Sequence, residues 1–162
     1  MYVSFNTLRR AAACLVIAGS SLIAGPIDEV RTALNGPIST SYREAFSALE
    51  KENTLEGKQH LEKMKEMLNN VADLFHTAES GLEGIDPKLK TQWSELARSE
   101  KDVVVIAGVL LTEIGRSSYK SSLSELKSRW EKLMSEMPKV YTALGDYGKI
   151  EQKFQNLCGS CR

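Results

Sequence analysis

Three features of this sequence predict an all-α protein, an antiparallel four-helix bundle with a kinked or broken last helix. Apolar residues recur in steps of three and four over long stretches, the mark of helices with one core-facing side. No stretch alternates with period two for long enough to build a sheet. The stripes are separated by short clusters of glycine, proline, serine and asparagine, so consecutive helices should lie as antiparallel neighbours.

Pro26 to Leu34 can form a helical turn or two, which Asn35-Gly36-Pro37 should stop. Ser39, Thr40 or Ser41 then offers an N-cap, and Glu44 completes a capping box with Ser41. Tyr42, Ala45, Phe46 and Leu49 stripe this first helix. Thr54 or Gly57 interrupts. The second helix carries Leu61, Met64, Leu68, Val71, Phe75, Ala78 and Leu82, widened by Met67 and Leu74. Gly81, Gly84 and Asp86-Pro87 close it. Asp86 caps the third helix and Pro87 takes its first position, where a missing N–H costs nothing.

That third helix runs towards Gly115 on Leu89, Trp93, Leu96, Val103, Ala107, Leu110 and Ile114. It contains nine unbroken apolar residues, Val103 to Leu111, too few to cross a membrane. Such a run is expected to be buried nearly all round, by neighbours in the chain or by a second copy in a homodimer with Val105 or Val109 at the contact. After Gly115 and Ser117-Ser118 the chain turns back. The fourth helix has the cleanest stripe: Leu123, Leu126, Trp130, Leu133, Met137, Val140 and Leu144. Pro138 should kink or break it, and Gly145-Asp146 should restart it with Asp146 as N-cap. Tyr147, Ile150, Phe154, Leu157 and Cys161 continue the spacing.

Residues 1–24 read as a secretory signal peptide, leaving 25–162 as the bundle domain. Arg9 and Arg10 precede a stretch from Ala11 to Ile23 with no charge, and Ala24 can serve as the small residue at a cleavage point, with Ala18-Gly19-Ser20 as an alternative. The apolar stretch of 13 residues is short for a membrane span. Cys14 has no long apolar run before it and does not read as a lipidation site. The protein is therefore expected in the periplasm or outside the cell, with no membrane association after cleavage. Removing Arg9 and Arg10 from 21 basic side chains leaves 19 against 21 acidic ones, a net charge of −2 with the signs interspersed. That balance argues against a nucleic-acid surface.

No catalytic constellation stands out: there is no phosphate loop, no H-E-x-x-H and no G-x-S-x-G, and a non-enzyme is expected. Glu62, Glu66, Glu95, Glu113, Glu125, Glu131 and Glu136 lie off the stripes among lysines and read as a solvated face. The chemistry-bearing residues are Cys158 and Cys161, spaced C-x-x-C at the end of the last helix. In an oxidising compartment they can close as a disulfide. A redox-catalyst reading lacks the strand context and the helix N-terminus that would activate a thiol. A thiolate metal site would need partners, and His60 and His76 flank the second helix.

A fourth reading comes from likeness. Thr142-Ala143-Leu144-Gly145-Asp146, Ile150, Phe154 and Cys158-Gly159-Ser160-Cys161 together resemble the last helix of the cytochrome c′ family and, more loosely, of cytochrome b562. The resemblance implies a haem c bound through Cys158 and Cys161, and electron transfer or small-ligand binding with an unnamed redox partner. In that family the next residue is the histidine that ligates iron. Here Arg162 stands in its place, with no lone pair to offer. Another ligand would have to come from residues such as His60, His76, Met64 or Met67. Met64, Trp93 and Trp130 read first as core side chains. The alternative is a haem-free exported interaction or structural bundle with a C-terminal disulfide.

Overall fold

The computed structural model describes residues 25–82 and 86–159, with side chains described as far as Asp146. Cys14 and the rest of the expected leader, Gly84, Cys161, Arg162 and the side chain of Cys158 lie outside that description. The described residues form four helices and no strand. The first, α1, comprises residues 25–33, a π turn at Leu34–Ile38, and Ser39–Glu50. It is followed by α2 (Thr54–Leu82), α3 (Pro87–Glu113) and α4 (Tyr119–Gly159). Each packs on the next, and α4 returns to α1 to close an all-helical four-helix bundle.

The stripes read from the sequence form the core. Leu61, Met64, Leu68, Val71, Phe75, Ala78 and Leu82 of α2 are all buried. So are Leu123, Leu126, Trp130, Leu133, Met137 and Val140 of α4, while Leu144 packs partly buried at the edge. Trp93 is wholly enclosed, and its indole Nε1–H donates to the Phe75 carbonyl at 2.9 Å, so a large ring is buried with its polar atom satisfied. Asp86 caps α3 as expected, accepting from the backbone N–H of Lys88 at 2.8 Å, with Pro87 in the first turn. Gly115, at φ +95, ends the segment after α3 in a conformation suited to glycine.

Three local expectations are corrected. Asn35-Gly36-Pro37 does not stop the first helix. Proline lacks the N–H owed to the carbonyl four residues back and crowds it, and the wider i→i+5 spacing of a π turn relieves both problems. The helix is held through the turn because Ile27, Val30, Leu34 and Ile38 are all buried in the same core as Tyr42 and Leu49. No cap or capping box is then needed at Ser39 to Ser41. Likewise α4 runs on through Gly145-Asp146, so Asp146 is interior to a helix and caps none. Pro138 also sits inside α4, exposed, between buried Met137 and Val140.

The third correction concerns Val103 to Leu111. Within one chain this run is not buried all round: Val103, Ile106, Ala107 and Leu110 face the core, whereas Val105 is 59% and Val109 41% exposed. The two lie one helical turn apart on the outward face.

Candidate functional site

Helix α4 carries its backbone helical through Cys158, so the first cysteine of the pair sits in the last turn of a 41-residue helix. The position of that turn follows from a ring cluster near the same end of the bundle. Phe75 lies 5.1 Å from Trp93, and Trp93 lies 6.4 Å from Tyr141, centroid to centroid. Tyr141 is 17 residues before Cys158, roughly 25 Å along a helix axis.

This spacing bears on the four residues that could ligate a haem iron. His76 follows Phe75 at the ring cluster. Met64, Met67 and His60 lie farther down α2, away from the Cys158 end. Met64 is wholly buried as core. His60 is engaged at the surface, with Nδ1 at 3.0 Å from Glu44 and Nε2 at 3.8 Å from Glu56. These are the residues the sequence offers as iron ligands, and the side chains of Cys158 and Cys161 that would hold a haem lie outside the described residues. Among the described residues no three His, Cys, Asp or Glu side chains come together as a metal-binding group. No helix there is long and apolar enough to cross a membrane.

The solvated-face reading of the glutamates holds for several. Glu125 pairs with Arg129 at 3.2 Å, and Glu62 with Lys58 at 3.8 Å. Two do more: Glu136 accepts from the buried Ser99 hydroxyl at 2.5 Å, and Glu113 accepts from Ser122. These bonds tie α3 to α4 at two levels.

The chemically distinctive side chain is one that the sequence reading passed over. Glu100 is 4% exposed, inside the core of α3. Its Oε1 is buried and has no hydrogen-bond partner. Loss of solvation pushes its carboxyl up to about 7, with Lys101 pulling modestly the other way. A signal for it existed. The third stripe jumps from Leu96 to Val103, and steps of four and three across that gap land on Glu100.

The outward valines make the other candidate feature. Val105 and Val109 are flanked by half-buried Val104 and Leu111. The Lys65 amino group lies over Gly108 between them, 3.3 Å from where a Cβ would stand. Comparison of the chain with family profiles, with characterised proteins and with solved structures returns no match.

Proposed function

We propose that the protein is an exported helical bundle that works by association, with the valine face of α3 as its contact surface and a second copy as the partner. The observation that carries this is the exposure of Val105 and Val109 on the outward side of a helix whose inward side is fully committed to the core. Full burial of a valine side chain contributes about 1.5 kcal/mol. Covering the exposed fractions of both valines on two copies therefore contributes roughly 3 kcal/mol, below the 4 kcal/mol or more that association costs. The valines act as the anchor, and Val104, Leu111 and the polar rim supply the rest. The dimer is accordingly weak and concentration-dependent. Sedimentation of the wild-type chain at up to about 0.5 mM should show it, and Val105→Glu should give monomer throughout. A wild-type chain that stays monomeric at the highest concentration sinks this reading.

A second reading keeps the cytochrome c′ resemblance, which rests on the sequence from Thr142 to Cys161. Cys158 and Cys161 would hold the haem covalently, with iron lacking its usual ligand at Arg162. The test is haem staining of denaturing gels after expression with c-type maturation machinery. On this reading Arg162→His, extended by a few residues, stains more strongly than the native chain. If neither form stains and both hold a Cys158–Cys161 disulfide, the pair is a structural clip on the association module.

A further inference from the structure

Glu100 occupies a core layer whose composition can be read from the surrounding contacts. On one side, Ser99 bonds Glu136 and Asp102 lies 3.5 Å from Arg129, which brackets Glu100 level with Leu133 of α4. On the other, Trp93 meets Phe75 and Gly108 meets Lys65, which places it level with the stretch from Leu68 to Val71 of α2. Tyr42 stacks on Trp130, so the antiparallel α1 reaches the same level near Ile38, at the end of its π turn. Leu133, Leu68, Val71 and Ile38 are all buried apolar residues that cannot satisfy a carboxyl oxygen, and the buried Ser41 hydroxyl of α1 makes no bond to Oε1.

The ionisable groups of every surrounding helix are otherwise placed. On α4, Glu136 is taken up by Ser99 and Lys132, and Arg129 by Asp102 and Glu125. On α2, Glu66 and Asp73 are exposed and Lys65 lies over Gly108. The stretch of α1 at this level, from Ala33 to Tyr42, carries no acid, lysine or arginine. The charge that Glu100 feels is that of Lys101, its neighbour on α3.

We propose that Glu100 is a proton-operated latch of the bundle: with its carboxyl protonated α3 stays seated against α2 and α4, and with it ionised the layer opens to admit water. A neutral carboxyl leaves one modest desolvation cost in the layer, whereas a carboxylate there has neither a hydrogen bond to Oε1 nor a cation from a facing helix. Opening exposes the carboxylate to water and restores its ordinary titration. The latch is independent of what the valine face or the cysteines do.

Two measurements on the whole chain test it. In 13C-labelled wild-type protein, one glutamate carboxyl should titrate near neutrality, and Glu100→Gln should remove that signal. Amide exchange at Leu96 to Val103, corrected for intrinsic base catalysis, should report an opening constant that rises on the order of 50-fold from about pH 5 to about pH 8. The same rise should be absent in Glu100→Gln. Every glutamate titrating in the ordinary range would overturn the latch, and the wild-type spectrum decides this even if the variant fails to fold. An exchange profile that stays flat in the wild type, or rises equally in the variant, would overturn it as well.

Discussion

The cost of one carboxyl in the core can be put against the stability of the whole bundle. The pKa of Glu100 is raised from 4.5 to about 7, so between those values the folded chain holds a proton that the unfolded chain has released. Stability therefore falls as pH rises through that window, and the loss is complete above it, at about 3 kcal/mol. Against a typical total of 5–15 kcal/mol this is a large fraction. The same latch predicts that Glu100→Leu, close in size and apolar, gains most at alkaline pH and little at about pH 4, as read by thermal melts across the range. The sequence made this residue findable but not its state. Register arithmetic leads to position 100, while an acid on a stripe is as easily an interrupted stripe as a buried charge. Trp93 shows the converse: its burial was legible from spacing, and its hydrogen bond to the Phe75 carbonyl depended on how two helices meet.

At the scale of the element, local and long-range signals divided the labour. The stripe of α2 was legible residue by residue because nothing in that helix contradicts its period. Asn35-Gly36-Pro37 is a strong local stop, yet the chain on either side buries Ile27, Val30, Leu34 and Ile38 in the common core. That burial outweighs a break worth about 3 kcal/mol, and the π turn is the compromise. The valine run in α3 misled for a related reason: composition reports how apolar a helix is, and only its neighbours decide how much is covered. Two glycines sharpen the point into a prediction. A Cβ on Gly57 would stand 2.5 Å from Cγ and Cδ2 of Leu49, a fully buried side chain at the α1–α2 turn. Gly57→Ala should gain about 1 kcal/mol of helix propensity and lose about 1–3 kcal/mol to overpacking, a net destabilisation. Gly108→Ala meets only the flexible end of Lys65 and should stabilise by up to about 1 kcal/mol. Chemical denaturation of the pair distinguishes them by sign. A stable Gly57→Ala would mean that α1 and α2 can move apart where Leu49 meets Gly57.

For the molecule as a whole, the question is what brings the first helix to the last. Short connections made the α1–α2, α2–α3 and α3–α4 pairings legible from sequence, since antiparallel neighbours follow from tight turns. The closure of α4 on α1 was implied by the predicted bundle, but the contacts that make it were not legible, because they join residues 70 to 114 positions apart. Tyrosines make it. Tyr42 stacks on Trp130 with centroids 4.5 Å apart, and the Tyr119 hydroxyl donates to the Leu49 carbonyl at 3.3 Å. At the far end the Tyr141 hydroxyl donates to the Ile27 carbonyl at 2.6 Å, beneath the Arg31 guanidinium, which lies 5.2 Å from the ring centroid. Burial holds the Tyr141 hydroxyl well above the usual phenol range, so it remains a donor into alkaline solution. This last clasp secures the stretch of α1 before the π turn. Tyr141→Phe keeps the ring and removes only the bond, and should cost about 1 kcal/mol. Its signature is spatial. Amide exchange should accelerate about fivefold over residues 25–33, where opening needs only the loss of that seam, and much less at the centre of α2. Equal acceleration throughout would show that α1 opens only with the rest of the bundle, and that the π turn is no hinge.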